Sequence, residues 1–141
     1  DILLKHLSHP EEDFLHFIRS ICGNDTINYN EEVAASEREK GYLNAAIANL
    51  LKYHHNIEND IERVLHFYFL QCSVEMSCYD LSKAFLAFAN HKQPFTFGDI
   101  NLTASQVKRI NAIMQTCGFY DEAGEFSYLV GLPGKVVWAV A

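Results

Sequence analysis

Ser105 and Lys108 stand in an SxxK spacing, which sets a serine and a possible lysine base on one helix face for acyl transfer. Thr103 and Gln106 explain the same stretch more simply, as a capping box that starts an ordinary helix. A second candidate lies in SEREKGYLNAAIANLLKY, residues 36 to 53, where a polar front containing Gly41 leads into an apolar helical face. Glu37 and Asn44 are seven residues apart. In an unbroken helix that is about two turns, so both would project from nearly the same side. A carboxylate beside a carboxamide suits an α-amino acid, because the first pairs with the ammonium group and the second both donates and accepts. A solvated, capped helix entry is the competing reading. Tyr68 sits among apolar helical neighbours and Tyr120 just after Gly118. Each phenol is either core with a satisfied hydroxyl or a donor and proton relay at a cleft mouth.

The seven histidines do not assemble a metal motif. His54 and His55 share a loop, His6, His9 and His16 share no helical face, and HExxH is missing. The stretch GLPGK, residues 131 to 135, lacks the GxxxxGK[ST] pattern of a phosphate loop and reads as a turn. No metal or cofactor is expected.

These groups must be held by a mostly helical chain. Pro10 with Glu11 and Glu12 marks a helix start, and Gly23 a stop. A helical stretch begins near Glu31, is interrupted near Gly41 and resumes through Leu51. HHNIEND is a loop, and Ile61, Val64, Leu65, Tyr68 and Phe69 form the next apolar stripe, over about 59–72. Ser77 with Asp80 forms a capping box before a further helix. NHKQPFTFGDINL is a loop with an extended piece at Phe95–Phe97, and the helix behind Thr103 is expected to end at Gly118. EFSYLVG alternates as a strand does, and VVWAVA suits a buried strand. The expectation is a helical region over 1–118 and a strand region over 125–141.

The 141 residues, 49% of them hydrophobic and 21% charged, are enough for one domain with a real core. A net charge of −7 argues against nucleic acid or an anionic membrane as partner. No apolar run reaches the ~20 residues that span a bilayer. The four cysteines form no CxxC pair and read as buried free thiols in a reducing compartment, which points to the cytoplasm. The opening DILLKHLS without a methionine and the apolar finish suggest a chain cut at both ends.

Four blocks in order, SEREKGYLNAAIA, FYFLQCSVEMSC, INAIMQTCGFYDEAGEF and VGLPGK, resemble those of the serine-dependent glutaminases, from about Asp1 to Lys135. The resemblance implies an α+β, β-lactamase/DD-peptidase-like fold. Here that would be the mostly α-helical part plus one or two C-terminal strands, a single partial catalytic domain over 1–141. It also implies hydrolysis of L-glutamine to L-glutamate and ammonia through a glutamyl-enzyme on a serine. By position in the blocks, Glu37, Asn44, Tyr68 and Tyr120 would contact the substrate, and the two tyrosines would support catalysis.

The family's nucleophilic serine and lysine, and a further substrate-binding asparagine, belong upstream of the position equivalent to Asp1. Ser105 and Lys108 fall in a different helix and do not replace the dyad. The 141 residues alone are therefore expected to be inactive. After Lys135 the sequence departs from the family's block, so that block's backbone contact cannot be placed. The family's habit implies a homodimer or homotetramer. A non-catalytic helical interaction module and another β-lactamase-fold acyl hydrolase are the alternatives, separable by ammonia release and by acylation with penicillin.

Overall fold

A short helix, α1 (Ile2–His6), comes first and gives way to extended backbone at Leu7. Pro10 then begins α2 (Pro10–Cys22), with Glu11, Glu12 and Asp13 in the first turn, where the helix dipole favours acids. Gly23 ends it at φ 61°, a left-handed conformation that costs glycine little. The computed structural model describes residues 1–89, 95–97, 100–119 and 122–131. It divides into two units, Asp1–Leu81 and Ser82–Ala141.

In the first unit a two-residue strand, β1 (Asn28–Tyr29), leads to α3 (Glu31–Lys40). The Asn30 side chain caps α3 by accepting from the Val33 amide at 3.0 Å. Gly41 breaks the helix, and α4 (Tyr42–Tyr53) follows at once. After a turn in which His55 takes φ 59°, α5 (Ile61–Cys72) starts under an Asp60 cap. β2 (Val74–Glu75) pairs antiparallel with β1, Asn28 opposite Glu75 and Tyr29 opposite Val74. Helix α5 is the centre of this unit and packs against α2, α3 and α4. Ala48, Ile57, Leu65 and Phe69 form a core cluster, with Ala45, Ile61 and Val64 packed on it. Phe14 meets Phe67 edge to face at 6.1 Å, a geometry that aromatic quadrupoles favour.

Gly41 is placed by packing. A Cβ there would lie 2.5 Å from Phe69 Cζ and 2.8 Å from the Glu37 carbonyl oxygen. The corner between α3 and α4 therefore presses directly on the ring of α5.

The capping box expected at Ser77 is present and begins α6 (Cys78–Ala89), a helix shared by the two units. The Ser77 amide and hydroxyl donate to Asp80 Oδ2 at 3.1 and 2.6 Å, and the Asp80 amide donates back to Ser77 Oγ at 3.1 Å. Asp80 also accepts from Asn24 Nδ2 at 3.2 Å, joining the start of α6 to the end of α2.

In the second unit β3 (Phe95–Phe97) and β4 (Ile100–Leu102) form an antiparallel pair with Phe95 opposite Leu102. The extended piece anticipated at Phe95–Phe97 thus finds a partner. Thr103 and Gln106 make the second expected box, the Thr103 amide donating to Gln106 Oε1 at 2.8 Å, and α7 (Ala104–Phe119) follows. Val107 is fully buried. Ser105 and Lys108 lie in the first turns of α7.

Four expectations need correction. EFSYLVG is not a strand but most of α8 (Ala123–Val130), closed by Gly131 at φ 68°. Its alternation was a short apolar run equally compatible with a helix, and the left-handed glycine decides for the helix. Helix α7 runs through Gly118 to Phe119. Only Cys22 is buried, whereas Cys72, Cys78 and Cys117 are exposed, and none is disulfide-bonded. Glu37 and Asn44 belong to two helices separated at Gly41, so the unbroken two-turn geometry does not apply. VVWAVA, the rest of the expected strand region, lies outside the described residues.

Candidate active site

Helices α4 and α5 are joined by a short loop and pack side by side, which makes them antiparallel. The start of α4 therefore faces the end of α5. An open cleft of about 580 Å³ runs along the pair. Its floor is apolar, from Ile47, Ala48 and Leu51 on one helix and Val64 and Leu65 on the other. Asn44, Tyr68 and Gln71 supply the polar groups at the end where α4 begins and α5 finishes. Asp1 and Asn56 are its other polar lining residues.

The anticipated site residues fall as follows. Asn44, half-buried, and Tyr68, 43% exposed, line this one cleft although 24 positions apart in sequence. Glu37 is half-buried on α3 and is not among the lining residues. Its link to the cleft is electrostatic. Tyr68 hydrogen-bonds the thiol of Cys72, one turn further along α5, and the Glu37 carboxylate acts on that thiol electrostatically. Tyr120 lies outside the described residues. Asn44 and Tyr68 thus share the cleft, while Glu37 is within electrostatic range of Cys72 on α5.

Cys72 and Gln71 were not singled out from the sequence. The one available signal was their helical offset from Tyr68, since positions three and four apart share a helix face. The thiol of Cys72 is held above its usual range. Loss of water on its inner side is the largest cause, the Glu37 charge adds to it, and the Tyr68 hydrogen bond opposes both. Cys72 therefore stays a neutral thiol at neutral pH and offers sulfur, not charge, to the phenol.

The opposite end of the helix pair is latched by polar bonds. Lys52 Nζ donates to the carbonyls of Glu58 and Asn59, both at 2.8 Å. Asn59 holds Asp1 Oδ1 through its amide at 3.0 Å and its side chain at 2.9 Å. Lys5 bridges Asp1 and Glu58 at 3.1 and 2.9 Å. Among the described residues no group of three or more histidines, cysteines or acids is placed to hold a metal ion. No described helix is long and apolar enough to cross a membrane.

Residues 1–137 match the family model described as Glutaminase. A glutaminase of Christiangramia forsetii is 54% identical over 135 residues, which cover 96% of this chain and 44% of that protein. The chain thus spans less than half the length of this curated relative. A probable glutaminase of Bacillus subtilis, solved with 6-diazo-5-oxo-L-norleucine, superposes with a TM-score of 0.76 at 28% identity, over 90% of this chain and 42% of that one. A second structure of that enzyme, its covalent complex with 5-oxo-L-norleucine, matches equally at 0.76. The fold is accordingly the β-lactamase-like α+β fold, of which these residues form a largely helical part. By a family match spanning nearly its whole length, the chain belongs to the glutaminase family.

Proposed function

We propose that residues 1–141 form one partial catalytic domain, the substrate-binding helical part of a serine-dependent glutaminase whose nucleophile lies outside these residues. The reaction is hydrolysis of the side-chain amide of L-glutamine. A serine oxygen attacks the amide carbon, ammonia leaves, and water cleaves the resulting glutamyl ester to L-glutamate and free serine. Glu37 pairs with the substrate ammonium, and Asn44 hydrogen-bonds a polar substrate end. Tyr68 and Tyr120 close the pocket, and either passes a proton to or from the nucleophile.

The observation that carries this reading is the meeting of Asn44 and Tyr68 in one cleft, with Glu37 electrostatically coupled to Cys72 beside them. The covalent complex of the Bacillus subtilis enzyme supports a covalent intermediate. Four cysteines without a disulfide support a cytoplasmic location. The reading includes assembly as a homodimer or homotetramer, and no metal or cofactor.

The test is ammonia release from L-glutamine by the full-length protein. Glu37→Gln removes a charge-assisted bond worth about 1.5–3 kcal/mol, so kcat/KM should fall roughly 10- to 150-fold. Wild-type kinetics in both Glu37→Gln and Asn44→Ala would sink the site assignment, and a full-length protein that releases no ammonia would sink the activity.

A further inference from the structure

Among the described residues, no lysine or arginine lines the cleft between α4 and α5. The groups of this wall able to donate to a carboxylate are neutral. Three such side chains stand at its polar end: Asn44, Tyr68 and Gln71. Gln71 lies three positions after Tyr68 on α5, on the same side of the helix, and is half-buried. Its carboxamide has no hydrogen-bond partner among the described residues, and neither has that of Asn44. Asn56, also on the cleft, and Asn28, whose oxygen only accepts from the Tyr29 amide, leave their donors unused too, but both are exposed, and the remaining carboxamides of this unit are engaged. Asn24, Asn30 and Asn59 each donate to an acid, and Asn49 donates to a backbone carbonyl. Two half-buried amides with unused donors on facing helices, at one end of one cleft, form a surface that an incoming polar group can complete.

We propose that Gln71 is a further substrate-binding residue, its carboxamide donating a hydrogen bond to the α-carboxylate of the amino-acid substrate from the wall that also carries Tyr68. This rests on the glutaminase reading above. The assignment divides the work by charge. Glu37 takes the ammonium, while Gln71 takes the carboxylate without a cation, leaving Asn44 for the other polar end. A neutral donor to a charged acceptor is among the stronger single hydrogen bonds, and a site that provides one discriminates against analogues lacking the acceptor.

The experiment is steady-state ammonia release by the full-length protein, wild type against Gln71→Leu and Gln71→Glu. Two substrates are used: L-glutamine, and its α-amide, which has a neutral carboxamide in place of the carboxylate. With L-glutamine, KM should rise about tenfold or more in Gln71→Leu and further in Gln71→Glu, where two carboxylates face each other, while kcat stays within about threefold. With the α-amide, the Gln71→Glu loss should largely disappear, because the repelled charge is gone. A purely structural role would depress both substrates alike. Unchanged KM in both variants, or equal losses on both substrates, overturns the role of Gln71 and leaves the glutaminase reading standing. A wild-type protein that releases no ammonia overturns both. Gln71→Asn, which keeps the amide on a shorter arm, provides the same comparison should the leucine variant fail to fold, with a KM rise again required.

Discussion

Replacing Gly41 by alanine adds one methyl group at the place where two helices press on a third. The backbone at Gly41 has φ −73°, so an alanine fits its dihedral angles without strain. Taken alone, the change should stabilise the protein by about 0.4–1 kcal/mol, through the smaller freedom of the unfolded chain. The tertiary neighbours reverse the sign. The new carbon would sit 2.5 and 3.0 Å from Cζ and Cε1 of Phe69, and 2.8 Å from the Glu37 carbonyl. Carbon atoms rest at about 3.5–4.0 Å, so the ring must retreat by roughly 1 Å. Phe69 is only 3% exposed and belongs to the cluster with Ala48, Ile57 and Leu65, which leaves it little room.

Overpacking of a filled core costs about 1–3 kcal/mol, and the net loss after the gain is about 1–2 kcal/mol. Thermal unfolding of the full-length Gly41→Ala protein should therefore fall by about 2–8 °C. Phe69→Leu shortens the obstructing ring, so the double variant should lose less than the sum of the two single changes, by about 1 kcal/mol. Because the Glu37 carbonyl is the second obstacle, KM for glutamine should rise in Gly41→Ala as well. An alanine variant that melts at or above the wild type, with strictly additive behaviour in the double variant, would refute the packing of this corner.

Two further outcomes follow from the first unit. Asp80, buried and bonded to Ser77 and Asn24, both caps α6 and ties it to α2. Asp80→Ala should cost about 2–3 kcal/mol in urea unfolding, and a loss under about 0.5 kcal/mol would show that the cap is not structural. Tyr29 donates to the Glu11 carbonyl at 2.7 Å, and its phenol is pushed up to about 12 by burial first, then by the Glu11 charge, against Arg19. A raised phenol favours the neutral form, so its contribution is complete below about pH 10 and is lost as pH rises toward 12. A shift of that size corresponds to about 2.7 kcal/mol, reduced to about 1 because the phenol is only partly buried. Between pH 10 and 12 the wild type should lose about 1 kcal/mol more stability than Tyr29→Phe, and parallel curves would remove Tyr29 from the account.

Much of the first unit was legible because its signals are local. Pro10 and Gly23 bracket α2, Gly41 divides α3 from α4, and each capping box stands where its side chains place it. The reason for Gly41 was not legible, since it depends on Phe69, 28 positions away. Helix α8 was misread because eight residues are too few to separate a period of two from 3.6, and Gly131 was read as part of a turn. The two-residue strands β1 and β2 leave no period at all. At the site, Asn44 and Tyr68 could be marked by their position in family blocks, whereas Gln71 and Cys72 acquire meaning only once α5 is turned toward α4.

The lysine and asparagine bonds that fasten the loop between α4 and α5 give this pair of helices the mechanics of tongs. The pivot is riveted, and the cleft-lining amides of Asn44 and Gln71 ride at the jaws. From Ile61 to Gln71 the arm is about 15 Å long at 1.5 Å per residue. An opening of only about 5° at the pivot therefore spreads the jaws by roughly 1.3 Å, enough to break a hydrogen bond at the tip. Substitutions at Lys52 or Asn59, remote from any reacting atom, should thus register first as weakened grip on small molecules.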